Sequence, residues 1–314
     1  MTGLELSKRY YEDYGRPMLE AQFPDLMDLL AVAFTGSGSE HYGYDDEVSR
    51  DHDFEPGFCI FLPNESLVSR RSAFLLERAY AKLPKEYLGF RRLPISPVGG
   101  NRHGVMRTGD FFLALTGSPD GALSAKQWLS LPDWALAEAT NGEVWFDRFG
   151  EFTRIRQSLS DMPEDIRLKR LAGNLLMMGQ SGQYNYPRCL KHGEPEAAQL
   201  ACIEFVYAAL RTAFLLRKRY LPYYKWSFRA LREVEGEWKL SADLKKLLTG
   251  DNSDARGAET KAACIESVAS VLIKELRCRS LSAVAGNDLE THAYEVNNRI
   301  ADGTIRNLHI LSGV

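Results

Sequence analysis

The sequence predicts an α+β protein: an N-terminal domain over residues 1–158, with a mixed β-sheet flanked by helices, then an all-helical bundle domain over residues 159–314. Three observations carry this reading. Short apolar, β-prone runs alternate with helical periodicity through the first half of the chain. From about residue 161 onward the pattern becomes almost wholly helical. The chain has 314 residues, 45% hydrophobic and 26% charged, which suits two globular domains and excludes collagen-like, mucin-like and generally disordered chains.

The elements follow in order. LELSKRYYEDY (residues 4–14) and PMLEAQFPDLMDLL (residues 17–30) read as two amphipathic helical segments punctuated by Pro17 and Pro24, since proline removes a helix hydrogen bond. LAVAFTGSGSE is an apolar run of strand length that ends in a Gly/Ser turn. DHDFEPGFCIFLP predicts a central strand beginning near Asp51 and bent at Pro56-Gly57. Residues 66–82 read as a helix capped by Ser66, with Leu75, Leu76 and Tyr80 on its inner face. GFRRLPISPVG and RHGVMRTG are short β-prone pieces, and residues 125–139 are helical again. GEVWFD and FTRIR read as two strands around the turn Arg148-Phe149-Gly150. Residues 196–220 then carry apolar side chains around most of the helix circumference, as a buried bundle helix does. Further helices are expected over residues 240–248, 258–279 and 288–301.

Charge and cysteine usage narrow the function classes. The net charge is −3, so no global positive field draws the chain to nucleic acid, and no basic stripe favours it. The five cysteines are scattered without a CxxC pair, which indicates neither a disulfide framework nor a zinc site. Cys202 and Cys264 fall in apolar helical patterns and read as buried free thiols. The N-terminus is polar and charged, unlike a signal peptide, and no apolar run approaches the roughly 18 residues of a membrane span. The expectation is a cytoplasmic protein without membrane contact.

The segment richest in chemistry is Gly36-Ser37-Gly38-Ser39-Glu40-His41-Tyr42-Gly43, followed by Ser49-Arg50-Asp51-His52-Asp53-Phe54. On a strand, alternate residues share a face, so Asp51 and Asp53 would present two carboxylates side by side. Such a pair repels itself unless a cation compensates, and Mg²⁺ suits oxygen ligands shared with substrate phosphates. Backbone N–H groups in a Gly/Ser turn can approach phosphate oxygens closely. A phosphate-gripping turn beside a metal-holding pair is equipment for phosphoryl or nucleotidyl transfer. His52 would point to the opposite face and reads as structural. The competing phosphate motifs are absent: there is no GxxxxGK[ST], and GxGxxG fails at His41.

Gly38-Ser39, eleven intervening residues and Asp51-His52-Asp53 resemble the signature of the DNA polymerase β-type nucleotidyltransferase superfamily. SEHYGYDDEVSRDHDFEPGFC, GQYNYPRC and YLPYYKWSFRALR further resemble the DUF4037-domain subfamily. The resemblance implies a nucleotidyltransferase-type sheet, a two-metal Mg²⁺ site and ATP or another nucleoside triphosphate as co-substrate. A nucleoside monophosphate, AMP in many members, would pass to a hydroxyl and pyrophosphate would leave. Carried over residue by residue, Gly38 and Ser39 would hold the triphosphate, and Asp51 and Asp53 the metals. The third carboxylate falls to Asp147 at the end of GEVWFD, with Glu143 and Asp110 as alternatives.

A second cluster lies in the helical half. Tyr184 and Arg188 fall in the loop-like stretch GQYNYPRCLKH, and Tyr223, Tyr224 and Lys225 follow Pro222. Lysine suits polyphosphate as a compact charge, and the aromatics could stack a base or a cyclic acceptor. Aromatic-rich helix starts also serve as packing anchors, so Lys225 stands equally as a triphosphate contact or a surface ion pair. By analogy with enzymes that pair such a domain with a helical one, the acceptor would be a small molecule of aminoglycoside or lincosamide type. The rival readings are a noncatalytic nucleotide-binding or antitoxin-like partner protein, and a metal-dependent phosphohydrolase.

Overall fold

The computed structural model describes residues 1–48, 54–92 and 102–314. The chain divides into two compact units, Met1–Leu123 with Ala135–Asp161, and Ser124–Trp134 with Met162–Val314.

The first unit is α+β. Helix α1 (Gly3–Tyr10) opens with a capping box in which Thr2 and Glu5 satisfy each other's backbone N–H groups. It runs through a π-turn, Tyr11–Gly15, directly into α2 (Arg16–Gln22). Pro17 therefore does not break the segment as expected, because it falls in the first turn of α2, where proline is tolerated. Residues 23–30 hold only a 3₁₀ turn, Pro24–Leu26. Strand β1 (Ala31–Phe34) follows, and all four of its residues are buried. Strand β2 is Cys59–Leu62, shorter than expected. Residues 54–58 are not strand, and Pro56, which cannot donate to a ladder, sits among them. Asp51, His52 and Asp53 lie outside the described residues.

Helix α3 (Arg70–Ala81) is capped by Ser69, whose side chain accepts from the Ser72 N–H. The expected cap, Ser66, instead donates its own N–H to Asn64. Leu76, Ala79 and Tyr80 face the core, whereas Leu75 is 48% exposed. The hairpin β3 (Glu86–Tyr87) and β4 (Phe90–Arg91) follows, then β5 (Gly104–Arg107). Helix α4 (Thr108–Thr116), with no counterpart in the sequence reading, continues from β5. Helix α5 (Ala125–Ser130), which belongs to the second unit, is separated from α6 (Asp133–Thr140) at Leu131-Pro132, and β6 (Glu143–Asp147) follows.

FTRIR is not the second strand of a hairpin but part of α7 (Glu151–Ser160). Phe152, Ile155 and Leu159 are all buried at i, i+3 and i+7, the helical rather than the strand period. The turn that starts α7 is closed by Asp147, whose two carboxylate oxygens accept from Gly150 N and Thr153 N at 2.8 Å each.

The four-stranded sheet has the order β5-β2-β1-β6, with β1 antiparallel to both neighbours and β2 parallel to β5. Its register defines two ends. Ala33 pairs with Cys59, Cys59 with Gly104 and Phe34 with Glu143, so these residues mark the end from which the Gly/Ser turn departs. Ala31 pairs with Phe61 and Asp147, and Leu62 with Arg107, which mark the other. Tyr10, Leu19, Val32, Ile60 and Leu76 fill the core on one side.

The second unit is almost wholly helical. It contains α8 (Glu164–Met178), a π-turn over Gly179–Asn185, α9 (Tyr186–Lys191), α10 (Pro195–Leu216), α11 (Tyr224–Val234), α12 (Leu240–Thr249), α13 (Ala255–Cys278), α14 (Leu289–Asn298) and α15 (Gly303–Arg306). The 22-residue α10 is long and apolar enough to cross a membrane, contrary to the expectation that no segment is, but 67% of its most apolar window is buried inside the protein. That burial marks it as a core helix. Cys202 and Cys264 are buried free thiols, as their apolar surroundings predict, and burial pushes the Cys202 thiol up to about 11.

Candidate functional site

The Gly/Ser turn leaves β1 at the Phe34 end and is held by α6 and the residue after it. Asn141 grips its start: its amide oxygen accepts from Gly36 N at 2.9 Å and Thr35 Oγ1 at 3.0 Å, and its amide nitrogen donates to Gly36 O at 2.8 Å. Gly36 and Gly38 have φ of +119° and +132°, conformations that L side chains rarely adopt. A Cβ on Gly38 would also fall 2.2 Å from the Glu40 carboxylate. Glycine is thus required at Gly38 on two grounds. The chain then winds into a 3₁₀ turn, Ser39–Tyr42, closed by Gly43 in the left-handed region.

Of the two serines, Ser37 is exposed and Ser39 is buried. The Ser37 hydroxyl donates to Glu138 Oε2 at 3.0 Å. Glu138, on the inner face of α6, is only 9% exposed. Burial pushes its carboxyl pKa up, opposed in part by the Ser37 hydrogen bond and the nearby Arg102 charge. Glu138 was not singled out in the sequence. The available signal was an acid within the apolar stretch Trp134-Ala135-Leu136-Ala137, where an ionisable side chain has to be buried or to break the pattern.

Several other polar groups crowd the same end of the sheet. His41 is buried against Phe34, with ring centroids 4.2 Å apart, and its Nδ1 lies 3.6 Å from Glu40 Oε1. Burial drives its pKa well below the ordinary histidine value, and the His103 and Arg102 charges push the same way. His103 stacks on Phe34 at 5.3 Å and its Nδ1 lies 3.2 Å from Glu55 Oε1. Asp45 accepts from Gly3 N through Oδ2, while its buried Oδ1 makes no hydrogen bond. Among the described residues, no group of three or more His, Cys, Asp or Glu side chains is placed to hold a metal ion.

The register separates the three acids considered for the third carboxylate. Asp147 pairs with Ala31, at the end of β1 remote from the turn, and a four-residue strand spans about 10 Å. Both its oxygens are engaged in starting α7. In this structure Asp147 closes the first turn of α7, at the end of the sheet away from the Gly/Ser turn. Asp110 follows β5 at the same remote end and is exposed in the first turn of α4. Glu143 does stand at the turn end, opposite Phe34. There it accepts from Lys8 Nζ at 3.3 Å and Trp145 Nε1 at 3.0 Å, on the wall of a surface cleft of about 400 Å³ shared with Tyr11 and Arg16.

In the second unit GQYNYPRCLKH is not a loop but the π-turn running into α9. Tyr184 is exposed, with the Arg188 guanidinium 5.1 Å from its ring centre, while Tyr186 is fully buried. Tyr223 precedes α11 and Tyr224 and Lys225 begin it; all three are exposed, and the two tyrosine rings lie 4.4 Å apart.

Residues 128–227 match the family model described as "Domain of unknown function (DUF4037)". The match covers 100 of the 314 residues, including Glu138, Asn141 and Asp147 as well as Tyr184, Arg188, Tyr224 and Lys225. It begins downstream of Gly38-Ser39 and of Asp51 and Asp53. No curated protein and no solved structure matches the chain.

Proposed function

We propose that the chain is a Mg²⁺-dependent nucleotidyltransferase that moves a nucleoside monophosphate from ATP or another triphosphate to a hydroxyl of a small-molecule acceptor. The observation that carries this reading is the strained glycine turn at the end of a buried strand, with the Glu138 carboxylate held on its exposed serine. Such a turn offers backbone N–H groups to phosphate oxygens without side-chain obstruction. The acid beside it, its pKa raised by burial, is suited to hold or accept the acceptor's proton. Glu138 thus takes the third-acid role first expected of Asp147.

The resemblance makes Asp51 and Asp53, which lie outside the described residues, the residues that would hold the magnesium ions. When bound, the metals would neutralise the polyphosphate and favour departure of pyrophosphate. The chain's own contribution is to bind phosphate oxygens at Gly36–Ser39, to orient Ser37 through Glu138, and to take up one proton at Glu138. Tyr184, Arg188, Tyr224 and Lys225 are further proposed as contacts to the nucleotide or the acceptor.

A second reading, a noncatalytic nucleotide-binding partner protein of the antitoxin type, draws support from Asp147, whose role as a cap removes one expected catalytic acid. Titration calorimetry with each of the four triphosphates, with and without Mg²⁺, tests both. Metal-dependent binding that Asp51→Asn/Asp53→Asn abolishes supports the transferase. Absence of binding to any triphosphate would sink it. Binding retained in Glu138→Gln, with pyrophosphate release lost, separates catalysis from binding alone.

A further inference from the structure

Helix α3 buries Leu76, Ala79 and Tyr80 against the core, yet its outward face is not merely polar. Arg71, Phe74, Leu75, Arg78 and Lys82 recur at i, i+3, i+4, i+7 and i+11, which puts them in one stripe along the helix. Phe74 is 55% exposed and Leu75 48%, both on a helix whose packing needs are already met by the opposite face. Arg71, Arg78 and Lys82 are exposed without an ion-pair partner among the described residues, and Arg78 lies 5.9 Å from the Phe74 ring centre. Glu77 is the one acid on α3, and on a helix it projects well to the side of this stripe.

The hairpin that follows α3 repeats the combination at its tip. Leu88 occupies the left-handed region at φ 49° beside Gly89 at φ 84°, in a two-residue turn where asparagine is the favoured residue. It is also 54% exposed. A leucine there is disfavoured both by backbone conformation and by contact with water. Exposed cations flank it: Lys85, and Arg91 with its partner Glu86 at 3.8 Å.

We propose that the α3 stripe and the Leu88 tip are a docking surface for an anionic lipid bilayer. Charge complementarity selects an anionic occupant, because Arg71, Arg78, Lys82 and Lys85 face outward uncompensated on a chain whose net charge is −3. The apolar part selects lipid over nucleic acid. Phe74 alone offers a base a stacking plane; Leu75 and Leu88 offer neither that nor a hydrogen bond, whereas all three side chains suit the boundary between headgroups and acyl chains. Basic residues beside them engage lipid phosphates. Such docking needs no spanning segment, and it is independent of the nucleotidyl-transfer reading.

The test is co-flotation of the full chain with vesicles of phosphatidylcholine alone or mixed with phosphatidylglycerol. The expected result is flotation with the anionic vesicles only, weakened by added salt. Arg78→Glu should cut the bound fraction by about tenfold or more. Leu88→Asn should reduce binding while raising the thermal midpoint, because asparagine accepts the left-handed conformation; this shows that the loss does not come from unfolding. Failure to float with anionic vesicles at low salt would overturn the proposal, as would equal binding to neutral vesicles or binding insensitive to both variants. Retention of single-stranded RNA that Arg78→Glu abolishes, without flotation, would also overturn it and assign the face to nucleic acid.

Discussion

Each unit buries a polar or charged cluster, and two of these clusters are treated in opposite ways. In the helical unit the fully buried Lys169 ammonium is surrounded by three acceptors: Asn297 Oδ1 at 3.0 Å, Arg306 O at 3.1 Å and Leu308 O at 2.6 Å. Every proton has a partner, and the result ties α8 to the segment around α15. At the Gly/Ser turn of the α+β unit, His41 is buried with no well-formed hydrogen bond to either ring nitrogen, and Asp45 Oδ1 makes none. Glu138 has a single hydroxyl donor to set against its burial. Burying polar groups without full satisfaction costs stability, and such groups concentrate where a fold keeps donors and acceptors for a ligand. The comparison marks Lys169 as architectural and the turn cluster as the candidate for a ligand.

The sharpest way to break that contrast is Lys169→Met. It should cost about 3 kcal/mol in urea unfolding, because buried oxygens lose their donor. A smaller loss than Glu138→Gln produces would reverse the assignment. Glu138→Gln is expected to lower turnover by about a hundredfold, the low end for removing a general base. Its stability should hold or rise at neutral pH, because burial raises this carboxyl's pKa and the charged form is therefore the destabilised one. Paired measurement of pyrophosphate release and thermal midpoint would show whether the two effects separate.

Asp147→Ala should do the reverse, lowering stability by about 1–2 kcal/mol through loss of the α7 cap. Triphosphate affinity of the folded protein should be unchanged, which calorimetry below the unfolding transition can check. A further expected effect concerns pH. The folded-state pKa of His41 is depressed, so the unfolded chain binds the extra proton; stability is full above the unfolded value of about 6.5 and declines as pH falls below it, by up to about 1.4 kcal/mol per pH unit. Replacing His41 by Phe should flatten that slope in urea titrations below about pH 6.5. An unchanged slope would show that His41 does not govern acid sensitivity.

Much of the fold was legible in the residues. β1, β6, α10 and α12 through α14 follow from apolar period and from Gly or Pro boundaries, because those signals act within a few residues. The misreadings share a cause. FTRIR is β-prone by composition, and burial of Phe152, Ile155 and Leu159 together with the Asp147 carboxylate, reaching Gly150 and Thr153, makes it a helix. Ser66 and Ser69 look alike as caps, and the hydrogen bond to Ser72 distinguishes them only once the backbone is placed. At the site, the glycines could be read directly because a chain reversal after an apolar strand leaves few other residue types. Glu138 and Asn141 could not, since about a hundred residues separate them from the turn they hold.

The sequence by itself determined that the chain is α+β, that its first half holds a glycine-serine turn after a buried strand, and that Asp51 and Asp53 follow that turn. These are local properties, set by side-chain period and backbone freedom. Only the tertiary structure decided which acid stands beside the turn. Strand register put Glu143 at its end of the sheet and Asp147 at the other, and packing of α6 brought Glu138 onto Ser37. Proximity between residues distant in sequence depends on how whole elements pack and pair, and no local pattern encodes it.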